Sequence, residues 1–197
     1  MQGLFWLVLG LAIFVGGHLF TRQRGMRDRL VAAKGENFYR AVYSIVAIMG
    51  LFMIAHGFGA YRAAGYIQIW NPPRFFGHIA ILLVWPAFIL LVATYFPGRI
   101  KARAKHPMLL AVKMWATAHL LANGDLGSIL LFGSFLAWAV YARIALKRAG
   151  GVENMPGAPE DGVSGRNDLI AIGVGTVLAF VFMFWLHRPL IGVGIFG

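Results

Sequence analysis

The chain has 197 residues, 59% hydrophobic and 13% charged, where a soluble domain is about a quarter charged. Its mean hydropathy is +0.72; no single core in water could hide that much apolar surface, so the bilayer is its solvent. The net charge of +11 does not imply a nucleic-acid partner, because basic residues cluster in loops between apolar runs, and the lack of cysteine excludes disulfides and thiolate ligands.

About 20 apolar residues are needed to cross the hydrocarbon layer. Six runs meet that rule: 3–20, 41–60, 78–96, 107–123, 126–142 and 168–187. The predicted fold is all-α, a single multi-pass transmembrane helical bundle of about six spans covering 1–197. The first run has no basic leader and ends in Arg22, Arg24, Arg27 and Arg29 instead of a small-residue cleavage site, so it is read as a retained span.

Of the 18 basic residues, 14 fall in segments 21–40, 97–106 and 143–166. The positive-inside rule makes that side cytoplasmic and puts both termini outside, as expected for a bacterial inner-membrane protein. Segment 61–77 holds Tyr66, Trp70, Pro72, Pro73, Phe75 and Phe76, which predicts an ordered segment at the outer interface. Asn123-Gly124-Asp125 separates two spans and predicts a tight helical hairpin with Gly124 at positive φ. Segment 149–166 is rich in Gly, Pro and acids and is predicted to be a flexible cytoplasmic loop.

Six histidines carry the chemical interest. His56, His78 and His187 fall at outer span ends and read first as interfacial residues, with His78 the foremost exception. His18 follows Gly16-Gly17 inside the first span. Either these glycines serve helix packing, with His18 hydrogen-bonded, or they admit a flat ligand beside it. His119 is the deepest, about 18 Å along its helix from Pro107. Trp115 and Asn123, each four residues away, share its face and offer a flat wall and a polar partner. A structural histidine bonded to a backbone carbonyl and a functional one both remain open, although intramembrane ionisable groups usually mark sites. Lys113 lies nearer the basic side and reads as a snorkelling residue.

No mid-span carboxylate suits a proton relay, and there is no HExxH, no protease-like Ser/Lys pair and no glycine-rich phosphate loop. Histidines among Trp and Phe, without cysteine, suit a b-type haem, whose axial positions need only a neutral imidazole nitrogen.

Three stretches carry a family resemblance: GLAIFVGGHLFTRQRGMRDRLVAAKGENFYRAVYS, then WNPPRFFGH, then ATYFPGRIKARAKHPMLLAVKMWATAHLLANGDLGSILLFGSFLAWAVYARI. Together they resemble the NnrU family, bacterial multi-pass membrane proteins associated with nitrite and nitric oxide reductase genes. That family is related to zeta-carotene isomerase, a haem b membrane enzyme acting on a cis double bond. The enzyme's early His matches His18, and its Arg-His-Pro and Trp-Cys-x-x-His segments match Lys105-His106-Pro107 and Trp115-Ala116-Thr117-Ala118-His119. The resemblance implies haem b with His18 and His119 as axial ligands; His106, from the matched His-Pro segment, and Trp115 and Asn123, on the face of His119, are the further residues expected to bind the cofactor. Ala116 stands where the isomerase has cysteine, which removes any Cys/His ligand switch. The His-Pro stretch also resembles isoprenylcysteine-type methyltransferases, but their paired glutamates have no counterpart in this chain.

Three functions are expected on these grounds: a haem protein of nitrite or nitric oxide metabolism, a non-catalytic accessory or assembly factor for nitrogen-oxide respiration, and an isomerase acting on a hydrophobic polyene. The expected partners are the lipid bilayer and, for the last, a hydrophobic small molecule.

Overall fold

A computed structural model describes residues 2–148 and 164–195. In chain order the helices are α1 Gln2–Phe20, α2 Arg24–Lys34, α3 Glu36–Ala63, α4 Phe75–Ala93, α5 Arg99–Ala104, α6 Pro107–Ala122, α7 Leu126–Arg148 and α8 Gly165–Val181. A π-helical turn, Phe182–Leu186, comes next and leads into α9, His187–Ile191. Helices α1, α3, α4 and α7 and the run Gly165–Ile191 are each long and apolar enough to cross a membrane. Helix α6 is the sixth, with 16 residues, and at about 24 Å it is shorter than the hydrocarbon thickness. The architecture is the all-helical membrane bundle that hydropathy predicts. Its apolar exterior agrees: Ile45, Ile48 and Phe52 on α3 are 65%, 67% and 69% exposed, a surface suited to lipid and costly in water.

Helices run further than the apolar runs alone suggest. The stretch between the first two spans, read from its charge as a connecting segment, contains α2, and α3 begins at Glu36 instead of 41. Arginine, lysine and alanine are good helix formers, so charge does not stop the chain from being helical outside the hydrocarbon. Residues 149–163 of the predicted flexible loop lie outside the described residues, and Gly165 and Arg166 belong to α8.

The chain divides into two compact units, Met1–Ile69 with Asp125–Ser134 and Trp70–Gly124 with Phe135–Gly197. In the first, α1 and α3 pack antiparallel through small residues. A Cβ on Gly10 would sit 2.7 Å from the Ile54 nitrogen, and one on Gly57 would sit 2.7 Å from the Trp6 carbonyl carbon. Backbones so close exclude any larger residue, the small-residue packing that holds helices together in lipid. By contrast, a Cβ on Gly16 would meet nothing within 4 Å. The packing glycines of α1 are therefore Gly3 and Gly10.

In the second unit α4 packs against both α6 and α8. Ala87, Leu90 and Ala111 form a buried cluster with Met114 and Trp115 against it, and the α-carbon of Ile89 abuts Gly175. The Trp85 indole N–H donates to Thr176 Oγ1 at 3.0 Å, satisfying a donor that lipid cannot. At the basic end, Asp168 in the first turn of α8 accepts the N–H groups of Arg99 and Ile100 at 3.1 and 2.9 Å. It thereby caps α5 from another helix.

The Asn123–Asp125 connection is not the tight turn the sequence suggests. Asn123 is extended, with φ −128° and ψ 129°, and Gly124 is not at positive φ, which among the described glycines is taken by Gly35, Gly65 and Gly192. The connection pairs with the 61–77 segment instead. Gln68 bridges Asp125 antiparallel, Leu126 N–H donates to Ile67 O at 2.9 Å, and Trp70 N–H donates to Gly124 O at 3.1 Å. Strand-like pairing supplies the partners a turn would have lacked.

Candidate functional site

His119 lies three residues before the end of α6, half-buried. Its Nδ1 is 2.8 Å from the Trp115 carbonyl oxygen. A carbonyl only accepts, so in the neutral ring Nδ1 carries the proton and Nε2 holds the lone pair. Metal-ligating histidines are commonly oriented this way, one nitrogen donating to a carbonyl and the other bonding the metal. The Trp115 ring lies 5.2 Å from the imidazole, tilted by 51°, and Phe135 meets Trp115 edge-on at 5.6 Å. Ala116 and Ala118 beside them are wholly buried.

Asn123 does not serve the imidazole directly. Its Nδ2 donates to the His119 carbonyl at 2.9 Å, and its own N–H donates to that same oxygen at 2.9 Å, so it closes α6. His106 is the residue before α6. Thirteen residues separate it from His119, about 20 Å along the axis, so the helix places these two histidines at opposite ends.

His18 belongs to the first unit. Its Nδ1 is 2.7 Å from Phe14 O, which fixes the same tautomer as at His119. Phe14 lies 4.3 Å from the ring, and Tyr43 meets it edge-on at 5.6 Å. The space beside Gly16 leaves one flank of this turn of α1 uncrowded. His56 and His78 are exposed, in keeping with an interfacial reading.

His187 is more than an interfacial residue. Its Nδ1 is 2.8 Å from Val193 O, again placing the proton on Nδ1, and Phe182 packs edge-on at 6.0 Å. No sequence signal marks this, because Phe182 and His187 share a face only through the π turn between them. A second unforeseen group is Asp125, 5% exposed, which accepts from the Ser128 N–H at 2.9 Å and its hydroxyl at 2.6 Å. Here a signal exists: an aspartate just before an apolar helix, with serine at the third helical position, is a helix cap.

A histidine with Nδ1 tied to a carbonyl and an aromatic ring beside it, as at His119, is a donor of the kind that a b-type haem would use. Among the described residues no group of three or more His, Cys, Asp or Glu could hold a bare metal ion. A porphyrin, which brings four nitrogens of its own, has no need of one.

No curated protein and no solved structure matches the chain. The family model described as NnrU protein matches residues 6–195, nearly the whole length, and the chain belongs to the NnrU family.

Proposed function

We propose that this NnrU-family protein is a haem-b-binding protein of the bacterial inner membrane that serves nitrite and nitric oxide metabolism, in which His119 would hold the haem. The observation that carries this reading is the His119 ring, within the apolar helix α6, its Nδ1 engaged by Trp115 O, which in the neutral ring makes Nε2 the basic nitrogen. Trp115 and Phe135 supply flat apolar surface for a macrocycle, and His18, with the same tautomer and open space near Gly16, is the first unit's candidate. Haem would supply an iron able to change oxidation state or bind a small gas, and the chain's part is to orient its ligands and exclude water. Protein purified from haem-sufficient cells should show a Soret band and, when reduced, sharp α and β bands. His119→Ala should abolish or broaden them, whereas Lys113→Ala on the same helix should not. Colourless wild-type protein would overturn the reading.

The same reading places both termini in the periplasm, since most basic charge lies in three alternate connections. A reporter fused after Gly197 should be active outside the cytoplasm, and one inserted at Gly157 should be active inside. Both reporters on one side would show an odd span count.

A further inference from the structure

Helix α2 joins α1 and α3, each long and apolar enough to cross a membrane. Thr21, Arg22 and Gln23 alone separate it from α1, and Gly35 alone from α3. Three extended residues reach about 10 Å, so α2 is held at the membrane surface where α1 ends and α3 begins. Residues 21–35 carry five basic side chains, Arg22, Arg24, Arg27, Arg29 and Lys34, against one acid, Asp28. Asp28 is engaged by Arg27 at 3.2 Å, and Glu36, next along the chain, by Arg40 at 2.8 Å. Arg29 and Lys34 are exposed and pair with no carboxylate among the described residues.

At about 100° per residue, Met26, Leu30 and Ala33 fall within an arc of about 60° on α2. Arg29 lies about 40° beyond one edge of that arc, and Lys34 about 40° beyond the other. Protein leaves most of this strip uncovered: Met26 is 48% exposed, Ala33 is exposed and Leu30 is half-buried. Contact with α3 falls elsewhere, at Arg27, whose guanidinium carbon lies 5.4 Å from the Tyr39 ring centre. An apolar strip with a long basic stem on each side is the pattern of helices that lie in the plane of a bilayer. Their apolar side chains enter the acyl boundary while their cations stay at the phosphates. The strip is narrow, and one of its three side chains is only a methyl group, so apolar burial alone holds it weakly and charge decides.

We propose that α2 is a docking helix for anionic phospholipid: Met26, Leu30 and Ala33 enter the bilayer while Arg29 and Lys34 bind headgroup phosphates of the adjoining leaflet. Charge complementarity selects this occupant, because exposed cations frame the strip and a membrane span borders it at either end. Phosphatidylglycerol offers the net negative charge that phosphatidylcholine lacks, so docking depends on anionic lipid and weakens as salt screens the pairs. Docking of α2 does not depend on haem.

The chain has no cysteine, so spin labels on Met26→Cys, Ala33→Cys, Gly25→Cys and Ala32→Cys each report a single position. Gly25 and Ala32 lie away from the strip, and a side chain at Gly25 meets nothing within 4 Å. In proteoliposomes of equimolar phosphatidylglycerol and phosphatidylcholine, labels at positions 26 and 33 should be relaxed more by oxygen than by a water-soluble nickel chelate. Labels at positions 25 and 32 should show the reverse. In phosphatidylcholine alone, or at high salt, the oxygen preference at positions 26 and 33 should fall severalfold. Arg29→Gln combined with Lys34→Gln should abolish the difference between the two lipids, whereas Arg99→Gln combined with Arg103→Gln, an equal loss of charge, should keep it. If the Arg29 and Lys34 variant fails to fold, the salt titration of the labelled protein still decides. Nickel preference at all four positions would put α2 in water, and exclusion of both reagents from positions 26 and 33 would show protein covering the strip. An oxygen preference indifferent to lipid and salt would show no anionic selection. Each of these three results overturns the proposal.

Discussion

Gly57→Leu should leave almost no folded protein, while Gly59→Leu, two residues along the same helix, should be close to wild type. At Gly57 a Cβ would sit 2.7 Å from the carbonyl carbon of Trp6 and 2.9 Å from the carbonyl oxygen of Gly3. These are backbone atoms of α1 and cannot rotate away. At Gly59 nothing lies within 4 Å, and the position is exposed. Both substitutions replace glycine with the same good helix former, so their difference isolates helix contact from propensity. Overpacking alone costs about 1–3 kcal/mol in a core that can adjust. Here α1 must separate from α3, which also opens the contacts at Gly10 and Gly50, so the loss should exceed that range. Detergent-solubilised yield and thermal melting on size exclusion report the outcome. A monodisperse Gly57→Leu protein that melts with wild type would show that the α1–α3 contact is not as close as described.

The spans are legible because lipid imposes a simple requirement, about 20 apolar residues with few charges, and each apolar run contains one helix core. Helix ends are less legible. Arg24 to Lys34 and Arg143 to Arg148 are helical although charged, since charge excludes a segment from hydrocarbon without excluding it from helix. Gly16 and Gly17 stand out by being adjacent, yet close packing falls on Gly3 and Gly10, each facing a glycine or bare backbone of α3. That distinction depends on which face meets a partner, and a single sequence does not specify it in a helix apolar all round. At the candidate site, Trp115 and His119 share a face by their four-residue spacing, a local property that sequence carries directly. His187 has no such local mark. Its orientation depends on a π turn with no residue signature and on a bond to Val193 made after the chain reverses at Gly192. The pairing of Gln68 with Asp125 joins segments 57 residues apart, and the local turn preference of Asn-Gly gives no hint of that distant partner.

Asp125→Ala should destabilise the protein by several times more than Asp125→Asn. The carboxylate is 5% exposed and Ser128 is wholly buried. One carboxylate oxygen receives the Ser128 N–H at 2.9 Å and the other its hydroxyl at 2.6 Å. Alanine leaves two donors at the start of α7 without these acceptors. Loss of a helix cap costs about 0.5–2 kcal/mol, and each buried donor left unsatisfied costs about 1–3 kcal/mol. Asparagine keeps one acceptor oxygen and so retains one of the two bonds. Ser128→Ala removes the hydroxyl but keeps the backbone donor, and should fall between the two. The two sites are in contact, so Asp125→Ala combined with Ser128→Ala should cost less than the sum of the single changes. The bridge to Gln68 runs through the same residue, which makes a local probe informative as well. Weakening the cap should speed hydrogen exchange at Leu126 and Trp70, whose N–H groups bond Ile67 O and Gly124 O, before it affects α4. Additive stability losses, or unchanged exchange at both amides in Asp125→Ala, would mean that Asp125 ends α7 without anchoring the segment beside it.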